Sequence, residues 1–324
     1  MISSRIDIEL LERFEKGLDP LNPHRSEIPA HIIGYGEIST IFEILDPSQQ
    51  GLAFKRLPIF RTRDEMDQYE RLFLEYNRLL GEDIGIRVPS YCLARIYPPQ
   101  GNMVIYNVQE RLPAESICNS IIRNLPPGEL ATLLRSVLMA MKKVWAYNEA
   151  NTGIEVGLDS QISNWAISGG PHRSSVFDKA ADLIYIDTGT PLMKINGVEQ
   201  LNSDLFLRSA PSFLVWLIKR FFLDDVLNRY YDFHLVVVDL IANLYKEQRK
   251  DVVPLAIDTA NSFFETELAE LCLKPITLKE VTSYYREDAF IWRLYLALRK
   301  FDRFLHTRIF HQPYPYILPG KITR

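Results

Sequence analysis

Apolar positions along the chain change their spacing several times, and each change marks a new element. Residues 5–16 carry apolar side chains at helical spacing among charged ones, which predicts a short amphipathic helix. Three prolines between positions 20 and 29 then impose extended chain. Beyond them the pattern becomes that of strands. Ile32-Ile33, residues 40–45 and residues 52–57 read as three short strands, the last two joined by the turn-forming run 46–51. Met66, Tyr69, Phe73, Tyr76 and Leu80 recur at threes and fours, which predicts a helix over 63–80. Two more strands, 91–97 and 103–109, flank Pro98-Pro99-Gln100-Gly101. From Glu129 onward helical spacing dominates. Leu130, Leu133, Leu134, Val137, Leu138, Met141, Val144 and Trp145 form one stripe, started by the breaker Pro126-Pro127-Gly128. The expectation is an α+β fold. A helix and lead-in over 1–28 precede a β-rich part over 29–110, and a mainly helical part occupies 111–324. Within the latter, 213–246 and 290–306 read as further helices and 313–324 as an extended tail.

Bulk properties narrow the class. A chain of 324 residues is too long for one small core and suits two lobes. With 47% apolar and 24% charged residues it folds rather than remaining disordered. A net charge of −4 provides no basic footprint for nucleic acid. Cys92, Cys118 and Cys272 are odd in number and far apart, so neither a disulfide framework nor a zinc site is expected. A reducing cytoplasm fits that usage. The first 16 residues alternate acidic and apolar positions, unlike a secretory signal. The apolar runs 213–223 and 233–244 are interrupted by Lys219 with Arg220 and by Asp239, so no membrane span is expected.

Four features with chemical potential fall in a fixed order. Gly34-x-Gly36-x-x-Ser39 lies between two strands, where bare backbone N–H groups can approach an anion. No helix follows it, which disfavours a dinucleotide-binding turn. Lys55 in Leu-Ala-Phe-Lys-Arg-Leu shares a strand face with Ala53 and Leu57 and so points inward, where a lysine needs an anionic partner. Asp159 and Asn164 form Asp-x-x-x-x-Asn ahead of a short apolar strand. An aspartate there suits acceptance of a hydroxyl proton, and the asparagine amide oxygen suits a hard cation. The apolar strand Leu183-Ile184-Tyr185-Ile186 ends in Asp187-Thr188-Gly189, a carboxylate on a flexible turn suited to a metal bound to phosphates.

As an ordered set over residues 30–205, these features resemble the protein-kinase-like superfamily. Lys55 resembles the strand lysine of V-A-I-K, Asp159 and Asn164 its catalytic loop, and Asp187-Thr188-Gly189 its D-F-G. Leu201-Asn202-Ser203-Asp204-Leu205 is similar to a segment of the aminoglycoside phosphotransferase and choline kinase branch, in which an aspartate braces the catalytic loop. The resemblance implies a bilobal fold and a magnesium-dependent transfer of the γ-phosphoryl of ATP or GTP to a hydroxyl of a small molecule. In it Asp159 is the proton acceptor, and Asn164 and Asp187 hold Mg2+. Lys55 neutralises phosphate charge, steadied by Glu75 or, as runner-up, Glu70. Gly34, Gly36 and Ser39 cover the phosphates, Gln109, Glu110 and Leu112 border the base, and Asp204 supports the loop. The sequence also departs from the family. Gly157 stands where histidine is usual, Thr188 replaces phenylalanine, 23 positions separate Asn164 from Asp187, and no A-P-E follows. These departures keep two alternatives open: a pseudokinase or nucleotide-binding interaction module, and an atypical protein kinase.

Overall fold

The computed structural model describes residues 2–36, 38–99, 101–168, 183–208, 215, 228–312 and 314–319. Positions 169–182 of the long gap between Asn164 and Asp187 and most of the apolar run 213–223, with Lys219 and Arg220, lie outside them, as do the last five residues.

Helix α1 (Ile8–Gly17) starts at Asp7, whose carboxylate accepts from the Leu10 N–H at 2.9 Å. It is followed by β1 (Ala30–Tyr35), β2 (Thr40–Ile44) and β3 (Leu52–Phe60), then α2 (Arg63–Arg78), β4 (Tyr91–Ile96) and β5 (Met103–Glu110). The five strands form one antiparallel sheet in the order β1-β2-β3-β5-β4. Strand β3 is buried on both faces. Leu52 and Phe54 pack with Leu10, Leu11 and Phe14 of α1, whereas Leu57 and Ile59 pack with Met66, Tyr69 and Phe73 of α2. Full burial of each such side chain contributes roughly 1.5–3 kcal/mol before chain entropy is subtracted.

Burial of α1 also encloses a charge pair. Arg56 donates to Glu15 at 2.5 and 2.8 Å, Tyr106 Oη donates to Glu15 at 2.6 Å, and the pair is 6% exposed on each side. Burial pushes the Glu15 carboxyl up, but Arg56 and the hydrogen bonds more than reverse this, leaving it below the usual carboxylate range. The third Arg56 bond goes to the Pro315 carbonyl at 2.8 Å. The described tail, without helix or strand, is therefore anchored on the sheet, with Ile317 among the α1-side residues and Tyr314, Tyr316 and Leu318 on the α2 side.

The remaining chain is mostly helical: α3 (Cys118–Ile121), α4 (Pro127–Ala150), α5 (Ser203–Leu207), α6 (Phe233–Lys246), α7 (Val253–Glu267) and α8 (Leu278–Phe304). Proline at the first position of α4 supplies a preset φ and lacks only an N–H that would be orphaned there. Between α4 and α5 run five short strands, β6 (Ile154–Val156), β7 (Trp165–Ile167), β8 (Leu183–Tyr185), β9 (Met193–Ile195) and β10 (Val198–Glu199). β7 pairs with β8, and β9 lies between β6 and β10. Tyr76 near the end of α2, with Leu79 and Leu80 just beyond it, joins the same core as Leu130, Val137 and Trp165, so α2 is packed into both parts. Among the described residues no helix is long and apolar enough to cross a membrane.

Candidate functional site

The sheet sets the first half of the site. Gly34 pairs with Ile41, Ile41 with Lys55, and Lys55 with Asn107, so these residues form one row across adjacent strands. At the usual strand spacing Gly34 lies about 10 Å from Lys55. The turn beyond Gly34 is closed by its own hydrogen bond, the Gly36 N–H donating to the Ser39 carbonyl at 3.0 Å. The expected row of bare N–H groups is thus one donor short, and Ser39 is buried in the turn.

Lys55 reaches out of the sheet to the helical part. Its Nζ donates to Asp187 Oδ1 at 2.6 Å, with 17% and 32% of the two side chains exposed. This corrects the expected pairing with a helix glutamate. Glu75 is bound by Arg78 at 2.9 Å, one turn along the same helix, and Glu70 by Arg95 of β4. The side of α2 turned to the site instead carries Tyr69. Its hydroxyl donates to the Gly189 carbonyl at 2.9 Å and accepts from Asn107 Nδ2 at 2.6 Å. Sequence reasoning assigned Tyr69 to the core stripe alone. The signal for more was its phenol, since a buried tyrosine hydroxyl requires a partner.

Asp187 follows β8 in a turn. The Gly189 N–H donates back to Asp187 Oδ1 at 3.3 Å, and buried Thr188 accepts from Gln109 Nε2 at 3.2 Å. A side chain on Gly189 would meet Lys55 Nζ at 2.8 Å, so the close approach of lysine and turn depends on glycine. Gln109 and Glu110 end β5, and Leu112 follows two residues later. Through Gln109 this segment touches the site.

Asp159 and Asn164 occupy the loop between β6 and β7. Asn164 Nδ2 donates to the Asp159 carbonyl at 3.0 Å, and the Ile186 N–H donates to the Asn164 carbonyl at 2.9 Å, tying this loop to the strand before Asp187. Because the Asn164 amide nitrogen is committed, its Oδ1 is the end left for a cation. Tyr185 Oη donates to the Asp159 carbonyl at 3.1 Å and Tyr76 Oη to the Gly157 carbonyl at 3.0 Å. Gly157 has no room for a histidine: an added Cβ would stand 3.0 Å from both Leu192 and the Tyr231 ring.

The Asp159 side chain keeps part of its surface open, yet the surrounding protein desolvates it. Burial, and then the carboxylates of Asp239 and Asp187, push it up to about 8. Asp204, the expected brace, lies at the start of α5. Asp204 is exposed in the first turn of α5, where its N–H is capped by Asn202 at 3.1 Å. The loop is held from α6. Asn243 Oδ1 accepts from the Ile162 N–H at 3.2 Å, and Asp239 Oδ2 accepts from Gln161 Nε2 at 3.2 Å.

Asp187, Asn164 and Asp159 offer oxygen donors only, which suits Mg2+.

Comparison with known proteins adds a family. A profile designated DUF6206 and described as a family of unknown function matches residues 24–303. No curated protein matches the chain. Among solved structures, a complex of WaaP with acyl carrier protein is similar at 15% identity, over 76% of this chain and 97% of that one, with a TM-score of 0.32.

Proposed function

The chain belongs to DUF6206, a family of unknown function, and we propose that it is a bilobal, protein-kinase-like phosphotransferase moving the γ-phosphoryl of ATP or GTP to a hydroxyl of a small molecule. The observation that carries this reading is the contact of Lys55 with Asp187 across 132 positions of sequence, beside a desolvated Asp159. An antiparallel sheet backed by α2 and followed by helices supports the fold assignment.

In this mechanism Asp159 accepts the proton of the acceptor hydroxyl at a carboxylate oxygen. Burial raises its hold on that proton above that of a free aspartate. Lys55 moves its charge from Asp187 to the nucleotide phosphates and neutralises what develops there during transfer. Asp187 and Asn164 Oδ1 would hold Mg2+, which would screen the phosphate oxygens. Tyr69 and Asn107 keep Gly189, and with it the Asp187 turn, at the lysine. Asn243 and Gln161 fix the loop that aims Asp159.

The direct Lys55–Asp187 pair and the closed Gly36 turn favour a second reading, a nucleotide-binding module without transfer. Thermal unfolding with ATP and with GTP, with and without Mg2+, on wild type and Asp187→Ala tests the site. A ligand that binds only the folded state raises the midpoint by mass action. A magnesium-dependent rise lost in Asp187→Ala supports the site, and release of phosphate or turnover in an acceptor screen then separates transfer from binding alone. No rise with either nucleotide overturns both readings.

A further inference from the structure

The outer face of α8 departs from ordinary solvated helix surface. Phe290, Leu294, Phe301 and Phe304 are all exposed there, Phe290 to 62% and Phe301 to 52%. Their spacings of four, seven and three put them on one side of the helix. Arg286, Arg293 and Lys300, also exposed, recur every seven residues along one flank of that stripe. Ile309 and Phe310 extend the apolar surface past the helix end, beside Arg308 and His311. From 290 to 311 Arg293, Lys300, Arg303 and Arg308 are at least partly exposed and Asp302 is the one acid in that span, although the whole protein is net negative. Among the described residues no carboxylate pairs with Arg286, Arg293, Lys300 or Arg308; Arg293 donates only to the Ala289 carbonyl of its own helix.

Isolated apolar side chains on a surface need no explanation, whereas a continuous aromatic stripe rimmed by one sign of charge marks an interaction surface. We propose that this face of α8 docks on an anionic lipid bilayer. The helix lies in the plane of the interface, its phenylalanines enter the boundary of the acyl chains, and its basic flank meets the headgroups. Charge complementarity selects this occupant. A second copy would bring the same cations to the contact, with Glu287 the only exposed acid on α8 among the described residues to answer them. The docking is peripheral, since no described helix suits a span.

Flotation of the full chain with vesicles tests the surface, using phosphatidylcholine alone and phosphatidylcholine mixed with phosphatidylglycerol. The chain is expected to float with the mixed vesicles, less so as salt rises, and not with the neutral ones. Arg286→Glu, Arg293→Glu and Lys300→Glu together should lower partitioning at least about a hundredfold, because each basic residue near an anionic leaflet contributes about fivefold. Phe290→Ser with Phe301→Ser should also release the protein. All five sites are exposed, so circular dichroism should stay unchanged. No flotation of wild type with anionic vesicles, or equal flotation of either variant, would overturn the proposal. A concentration-dependent dimer abolished by Phe290→Ser with Phe301→Ser would also overturn it and assign the stripe to a second copy.

Discussion

Replacing Asp159 by asparagine should stabilise the protein, and increasingly so as pH rises. The wild-type carboxyl has a midpoint raised from 3.8 to about 8 in the folded state, through burial and the nearby Asp239 and Asp187 carboxylates. Between those limits the folded chain binds a proton that the unfolded chain has lost. Wild-type stability therefore falls with rising pH at up to about 1.4 kcal/mol per pH unit. The ceiling by the upper limit is roughly 6 kcal/mol. Asp159 is partly open and shares its repulsion with two other acids, so about 2–4 kcal/mol is the expected gain. Asparagine keeps the shape and the oxygen that accepts from the Gln161 N–H at 3.4 Å, so the loop should stay in place. Urea unfolding of both proteins at intervals across the window measures the gap, from which groups common to both cancel. The gap should be near zero at the acid end, widen steadily and level off above the upper midpoint. A gap that is constant with pH, or that favours the wild type at the alkaline end, would refute the burial and repulsion assigned to Asp159.

Three further outcomes are expected. Gly189→Ala should leave circular dichroism unchanged and cost about 1–3 kcal/mol in urea unfolding, since its Cβ meets the end of Lys55 at 2.8 Å and the buried Asn107 amide at 3.1 Å, and should abolish the nucleotide-dependent rise in Tm. Gly157→Ala should cost about 1–3 kcal/mol in urea unfolding, because Leu192 and the Tyr231 ring stand at 3.0 Å and must shift. Glu15→Ala should cost about 3–5 kcal/mol by leaving Arg56 buried and unpaired, whereas Glu15→Leu with Arg56→Met should cost much less; equal losses would show that the charge is not what matters.

Much of the element order was legible because each element announces itself locally. The 3.6-residue stripe over 127–150, the prolines before β1 and the turn residues between β2 and β3 act within a few positions of themselves. Lys55, Asp159, Asn164 and Asp187 stood out as candidates for the same reason, each lying at a strand or loop boundary. Partners were not. Glu75 and Glu70 are as close in sequence to the expected position as Tyr69, and only the rotation of α2 on the sheet turns Tyr69 to the site and leaves the two glutamates to Arg78 and Arg95. The resemblance pointed to Asp204 as the loop brace, whereas the contacts from α6, some 80 positions further along from Gln161, were not readable. The covering of the sheet by α1 on one face and by the tail from the far end of the chain was equally unreadable. By itself, then, the sequence determined the strands and helices of the first 150 residues and which side chains are chemically able to act, since backbone sterics and periodic burial operate over a few residues, but it did not mark the helix over 253–267 or the short strands of 154–156, 193–195 and 198–199. Only the tertiary structure decided which of those side chains meet, because the docking of the sheet against the helices sums many weak, distant contacts that no local pattern encodes.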